Sequence, residues 1–232
     1  MVAIPDPRST CAKEYDALNN RLVSREDFKL AATAAKQQSS RWSVLLDAAA
    51  ARFADRGYHA TTIRDVAETA GVTPGAIYFH VPTKQALLVA VYAEGVDRII
   101  GHLEASVSYE TDPASRFRRA IKAHLESILD ASAYARVIVR VLPDDVPEAA
   151  TELRKHRDRY ETRFRALIMA LDLPKERSSS LLRILLLGAL NSTPVWYRPS
   201  KGGLDAIVDE FVAVFGTGKP SPDPVVRRRS RK

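Results

Sequence analysis

The residue types that proteins use for catalysis and metal binding occur in this sequence, but their spacing does not bring them together. Asp144 and Asp145 are neighbouring carboxylates that follow Pro143 in a predicted solvent-exposed loop, a poor place for acid–base catalysis. The single cysteine, Cys11, excludes an internal disulfide and a cysteine-based zinc site. The scattered histidines form no HExxH helix, and neither a phosphate-binding glycine loop nor a nucleophile elbow is present; they are His59, His80, His102, His124 and His156. We therefore expect no enzyme activity, no metal site and no resident cofactor.

The segment from Thr61 to Leu88 offers a different chemistry, which is hydrogen bonding to base edges and phosphates. Its first part has the features of a short amphipathic helix. Thr62 can cap this helix, and Asp65 lies in the first turn, where a carboxylate is favoured by the helix dipole. Gly71 supplies the left-handed residue that ends the helix. The face that we expect to be buried has the spacing i, i+3, i+4 and i+7 and consists of Ile63, Val66, Ala67 and Ala70.

A second helix is predicted directly after this turn, with Thr73 as its cap and Pro74 as its first residue. Val72 is expected to return to the core, and Ile77 is the one residue of the helix that we expect to be both apolar and core-facing. Two helices joined by a short turn form a helix-turn-helix, whose second helix can enter the major groove. Tyr78 has a hydroxyl at a reach suited to phosphate. The predicted DNA contacts are Thr62, Thr73, Pro74, Gly75, Ala76, Tyr78, Phe79, His80 and Lys84.

The same segment closely resembles the signature of the TetR family of regulators, whereas a glycine turn between two apolar helices would by itself fit any helical hairpin. The residues that carry the resemblance are Thr61, Val66, Ala67, Ala70, Gly71, Val72, Pro74, Gly75, Ile77, Tyr78, His80, Pro82, Lys84, Ala86 and Leu87. Phe79 and Val81 depart from the usual pattern. The resemblance implies a dimeric DNA-binding transcriptional regulator, with a palindromic operator in double-stranded DNA and a small-molecule effector as partners. Release of a repressor by the effector is the expected mechanism.

The rest of the chain predicts helices alone, so the expected fold class is all-α with about nine or ten helices. We expect an arm of uncertain order over 1–39, a three-helix DNA-binding bundle over 40–90, a larger effector-binding and dimerisation bundle over 91–216, and a basic disordered tail over 217–232. The main predicted helices are Ser40–Arg56, Lys84–Ser106, Pro113–Ala131, Tyr134–Val141, Pro147–Leu171, Glu176–Asn191 and Leu204–Phe215, with separate helical content over Ser24–Lys36.

Two helices of the second bundle are more apolar than one buried face requires, which favours a homodimer over a monomer with two ordinary core helices. On the first helix, Ile184 and Leu187 lie off the main apolar stripe. The stripes consist of Leu181, Leu182, Leu185, Leu186, Ala189 and Leu190 on the first helix, and of Ile207, Val208, Phe211, Val214 and Phe215 on the second.

The stretch from Gly188 to Pro199 resembles the corresponding helix end of TetR-like regulators of lipid and steroid catabolism, several of which respond to acyl-CoA thioesters. This resemblance implies a CoA-thioester effector. Another apolar or aromatic effector, or an adaptor or enzyme that uses the same fold without binding DNA, stays an alternative. Arginines could neutralise an anionic effector, although a solvated helix face is the more common role. The candidate effector contacts are Arg136, Arg140, Arg159, Arg163, Asn191 and Trp196.

The formal net charge of +7 is weak evidence for DNA binding, because most of it lies in the C-terminal tail that ends Arg227–Lys232. Such a tail attracts phosphate without reading sequence. No apolar run approaches the length that crosses a bilayer, and the N-terminus lacks the apolar stretch of a signal peptide. We therefore expect a cytoplasmic protein.

Overall fold

A computed structural model describes residues 25–130, 132–198 and 203–216, and these residues form nine α-helices, one 3-10 turn and no strand. The predicted all-α class is confirmed. The elements are α1 (Arg25–Arg56), α2 (Ile63–Ala70), α3 (Pro74–His80), α4 (Lys84–Val107), α5 (Pro113–Leu129), α6 (Ala133–Arg140), the 3-10 turn (Pro143–Asp145), α7 (Ala150–Met169), α8 (Ser179–Trp196) and α9 (Gly203–Phe215).

The first helix is longer than the sequence pattern predicted. It begins at Arg25 instead of Ser40, and it includes the helical segment that was expected to be separate. Neither glycine nor proline occurs between Arg25 and Arg56, so nothing in the sequence interrupts the helix. The chain divides within this helix into two compact units, residues 1–44 and residues 45–232. The predictions for residues 1–24 and for the tail after Gly216 lie outside the described residues.

Side-chain caps define where the helices of the N-terminal region begin and end. Thr62 and Asp65 form a capping box at the start of α2, and Thr73 and Thr83 cap α3 and α4 in turn. Gly71 ends α2 with a φ of 67°, a left-handed conformation that costs residues with a side chain roughly 1–2 kcal/mol. These caps, together with Pro74 in the first turn of α3, fix the helix boundaries that the sequence predicted.

The larger core is built around α5, which packs against α4, α6, α7, α8 and α9. Every third or fourth residue of α5 is apolar and buried, as expected for a helix surrounded by others. The fully buried side chains of this core include Phe117, Ile121, Leu125, Phe164, Leu186, Leu190 and Val208. None of the helices in the described residues is both long and apolar enough to cross a membrane.

The eighth helix corrects one predicted boundary. Pro194 was expected to bound an irregular stretch after Asn191, but α8 continues through it to Trp196. Proline removes one backbone hydrogen bond, yet the ladder resumes at once, because the Tyr197 amide donates to the carbonyl of Thr193 at 2.9 Å. Leu190 and Thr193, in the turn before Pro194, are fully buried, and their packing holds this part of the helix in place.

Candidate DNA interface and effector cavity

The second helix of the hairpin, α3, presents nearly all of its side chains to solvent. Ile77 is its only buried residue, and it packs in the same bundle as the buried Val66 and Ala67 of α2. Phe79 is 80% exposed and Tyr78 is 53% exposed. The hairpin therefore has one anchoring residue on α3 and an outer face that includes two large aromatic side chains.

The other predicted DNA contacts lie on or beside this face. Two of them, Thr62 and Thr73, also act as caps: the Thr62 hydroxyl accepts from the Asp65 amide at 3.2 Å, and the Thr73 hydroxyl accepts from the Ala76 amide at 3.3 Å. Hydrogen bonds from Thr62 hold the pKa of the Asp65 carboxyl below its usual range. Exposed positions are Thr62, Thr73, Pro74, Gly75 and Ala76, and half-buried positions are His80 and Lys84.

The Lys84 side chain has a structural role that sequence reasoning missed. Its ammonium donates to the carbonyls of Tyr58 and Thr61 at 3.0 Å each, and it lies 4.3 Å from the centre of the Tyr58 ring. This ammonium satisfies carbonyls in the loop after α1. A phosphate contact of Lys84 stays a prediction, and in this geometry it would use the backbone amide at the start of α4.

Val72 was expected in the core, and this prediction is wrong, because the side chain is 43% exposed. The reason is the turn itself. The amide of Val72 donates to the carbonyl of Ala67 at 3.0 Å, which closes the glycine turn at Gly71 and leaves the next side chain on the outside. Val81, in contrast, is buried.

The four candidate effector arginines all bind other parts of the protein. Arg136 pairs with Asp55 at 2.9 Å, and Arg140 donates to the carbonyl of Ala54 at 2.9 Å. Their partners lie in the last turn of α1. The guanidinium groups of Arg159 and Arg163 lie next to carboxylates of α4: Asp97 at 2.7 Å and Glu104 at 3.2 Å. A role of these arginines in effector binding stays a prediction.

A cavity of about 80 Å³ lies between α4, α5, α6, α7 and α8. Of the six candidate effector residues, Asn191 alone is part of its wall, whereas Trp196 is half exposed at the end of α8. Aliphatic side chains make up about half of the wall: Val96, Ile99, Ile128, Ile138, Val139, Leu142 and Leu187. The remaining wall residues are polar, which is the composition expected of a small-molecule site.

The polar part of the wall is centred on His124, which is almost fully buried. The Nδ1 atom of His124 lies 2.6 Å from the Tyr160 hydroxyl. Burial lowers the pKa of His124 to about 4, and the nearby Asn191 amide offsets only part of this shift. Burial also raises the pKa values of Tyr92 and Tyr160, so all three groups are uncharged at neutral pH. In the sequence, His124 is a single histidine at a core position, and nothing in the pattern around it indicates a cavity.

Lowering the pH from 7 to 4 is predicted to destabilise the protein through His124. The unfolded chain binds a proton at His124 below about pH 6.5, whereas the folded chain does so only near pH 4, so stability falls with pH across this window. The loss reaches about 3 kcal/mol. Urea unfolding at several pH values should show a shallower pH dependence for His124→Gln, while His102→Gln, at an exposed position, keeps the steep one. Equal pH dependence of His124→Gln and the wild type would contradict this assignment.

Comparison with known proteins agrees with this geometry. Residues 45–91 match the model of the bacterial regulatory proteins of the tetR family, and residues 110–218 match that of the tetracyclin repressor-like C-terminal domain. The HTH-type transcriptional repressor KstR2 of Rhodococcus jostii is 29% identical over 201 residues, which cover 80% of this chain and 94% of the relative.

Two solved structures have the same fold. The fatty acid degradation regulator FadR from Bacillus halodurans superposes with a TM-score of 0.66 at 21% identity, covering 75% of this chain and 97% of that one. AibR, solved with isovaleryl coenzyme A and operator DNA, has a TM-score of 0.63 at 20% identity, with the same coverage of 75% and 97%. The two family matches and the related repressor show that this chain belongs to the TetR family of bacterial transcriptional regulators.

Proposed function

We propose that this protein is a repressor that binds a palindromic operator as a dimer and releases it when a small molecule enters the cavity. The observation that carries the DNA-binding part is the outer face of α3. Phe79 and Tyr78 expose large apolar surface there without a role in the core. In a major groove, an aromatic ring can contact a thymine methyl group, and a phenol can bind phosphate.

The dimer is supported by an exposed apolar stripe on α8. Leu181, Ile184 and Leu185 are more than half exposed, and Val195 continues the stripe about three turns after Leu185. The predicted apolar stripe combines two faces, because Leu182, Leu186 and Leu190 are buried whereas Leu181 and Leu185 are exposed; Leu187, expected off the stripe, is buried. Four large aliphatic side chains on one helix face would be costly in water, and a second copy of the chain would bury them. Two copies also supply the two recognition helices that a symmetric operator requires.

Effector release is supported by the position of α6, which contacts both the cavity and the end of α1. On one side, Ile138 and Val139 form part of the cavity wall. On the other side, Arg136 and Arg140 hold the last turn of α1, as described above. A ligand that pushes the cavity wall outward would displace α6 and, through these arginines, the helix on which the DNA-binding hairpin is mounted.

The size and composition of the cavity support an apolar effector. A space of about 80 Å³ is smaller than the roughly 150 Å³ that hold a benzene molecule, so an effector must widen it. The acyl part of a CoA thioester would suit the aliphatic wall, with the nucleotide part outside, and AibR provides a precedent in its complex with isovaleryl coenzyme A. Another apolar or aromatic small molecule is the alternative.

The DNA-binding part of the proposal predicts an effect of Tyr78 on binding to the DNA upstream of the protein's own gene. Tyr78→Phe removes only the hydroxyl and should weaken specific binding about tenfold, the effect of one hydrogen bond to a charged group. The control is Tyr109→Phe, at a position 95% exposed in the loop after α4, which should bind like the wild type. Titrations at two salt concentrations provide the measurement. Affinity that is independent of sequence and disappears at the higher salt would contradict specific recognition.

The second prediction concerns Leu185, which is 62% exposed. Leu185→Glu places a charge in the centre of the proposed dimer contact, where an unpaired carboxylate is strongly disfavoured. The dimer dissociation constant should rise by at least about 100-fold. Sedimentation equilibrium measures the change, and Tyr109→Glu is the control for an added surface charge. A variant that stays as dimeric as the control would show that α8 does not form the contact.

A further inference from the structure

Two polar atoms in the wall of the cavity have no hydrogen-bond partner within the described residues. They are the Tyr92 hydroxyl and His124 Nε2, and both side chains are buried. Buried polar groups without a partner are rare, because each one loses its hydrogen bonds to water and gains none in the folded protein. Two of them at one cavity indicate a partner that arrives from outside the chain.

The Tyr92 group acts as a donor. The charged group that most affects Tyr92 is the guanidinium of Arg157, which also borders the cavity. Arginine has five N–H donors and no acceptor, so it cannot receive the phenol proton. The O–H of Tyr92 is therefore left to donate into the cavity.

The His124 group is also a donor. The Tyr160 hydroxyl and His124 Nδ1 form one hydrogen bond, and within the described residues the Tyr160 hydroxyl has no second hydrogen bond in which it could donate its proton. Tyr160 therefore donates to Nδ1. An uncharged imidazole that accepts at Nδ1 carries its own proton at Nε2. The Asn191 side chain is close enough to affect the pKa of His124, but no acceptor lies within hydrogen-bond distance of Nε2 among the described residues, so this Nε2–H is the second donor at the cavity.

We infer that the cavity binds the oxygen of an uncharged carbonyl group, which accepts hydrogen bonds from the Tyr92 hydroxyl and from His124 Nε2–H. A carbonyl oxygen has two lone pairs and can accept both. The aliphatic wall surrounds the hydrocarbon next to it. This inference rests on the proposed function, since it names the chemistry of the effector: a ketone, an ester or a thioester.

The wall of the cavity disfavours a free acid. Arg157 and Glu161 both border the cavity, and Glu161 is paired with Arg183. A carboxylate ligand would lie near the carboxylate of Glu161 and would lose its hydration in a wall of which about half is aliphatic. A carbonyl oxygen has the same acceptor geometry without this cost.

The test uses three ligands that share one ring and differ in one group: cyclohexanone, methylcyclohexane and cyclohexanecarboxylate. Ligand-observed NMR with the full-length protein should show cyclohexanone binding about tenfold more tightly than the other two, as expected for two buried hydrogen bonds that offset their partial loss of hydration. Tyr92→Phe should weaken cyclohexanone about fivefold and leave methylcyclohexane unchanged. Tyr109→Phe should alter neither. Equal affinity for the three ligands, or no binding of any of them, would overturn the inference.

Thermal unfolding without ligand distinguishes a ligand-binding role of Tyr92 from a purely structural one, because the two roles predict opposite changes in Tm. If the Tyr92 hydroxyl has no partner in the ligand-free protein, Tyr92→Phe removes an unpaired buried donor and should raise Tm by about 2–4 °C. A lower Tm would mean that the hydroxyl already has a partner within the protein, which overturns the inference.

Operator binding separates this inference from the proposed function. If cyclohexanone binds in a Tyr92-dependent way and leaves the DNA complex intact, the carbonyl site is supported and effector release by this ligand class is not. If CoA thioesters release the DNA equally from the wild type and from Tyr92→Phe, the proposed effector release is supported and the carbonyl site is overturned.

Discussion

Three hydrogen bonds from α6 hold the C-terminal part of α1, and the proposed response to a ligand depends on them. Tyr134 donates to Asp47 at 2.8 Å, Arg136 to Asp55 at 2.9 Å, and Arg140 to the carbonyl of Ala54 at 2.9 Å. Hydrogen bonds to charged groups contribute about 1.5–3 kcal/mol each, and neutral ones about 1 kcal/mol. Moving a two-state equilibrium from 1:99 to 99:1 needs about 5.5 kcal/mol. The Arg136–Asp55 pair is partly exposed, and solvent screening limits its contribution to at most about 1 kcal/mol, so the three contacts supply only part of this free energy.

Helix α4 is central to this arrangement, because it contacts both the loop before the DNA-binding hairpin and the cavity. Near its start, Lys84 holds the loop between α1 and α2 through two carbonyls. Two turns later Tyr92 reaches the cavity wall. At Gly95 the helix lies so close to α6 that an added Cβ atom would be 2.7 Å from Cδ1 of Ile138. A ligand that displaced Ile138 would meet the α4 backbone here, and the proposed response is a movement of α6.

The local parts of this arrangement could be predicted from the sequence. The caps Thr62 and Thr73, the left-handed Gly71 and the buried Ile77 follow from rules that relate residues fewer than five positions apart. The polar network could not be predicted, because its partners are far apart in the sequence. Arg140 and Ala54 are a clear example, since an arginine on a helix face resembles a solvated residue until the facing helix is known.

The effector cavity was the least predictable part for the same reason. Asn191 was the one candidate that the structure places in the wall, whereas His124, Tyr92 and Tyr160 come from three different helices. Each of these has the pattern of an ordinary core residue in its own helix. Their common function depends on how the helices pack, and that packing is set by the apolar residues around them.

Hydrogen exchange of the α6 backbone amides with and without operator DNA tests the coupling most directly. If α6 transmits between cavity and hairpin, binding of the operator should slow exchange over residues 133–140, because the DNA-bound position of α1 stabilises the three contacts. The double variant Arg136→Gln and Arg140→Gln should lose this protection while the core amides of α5 stay protected. Equal exchange of α6 in the DNA-bound and DNA-free wild type would contradict the account.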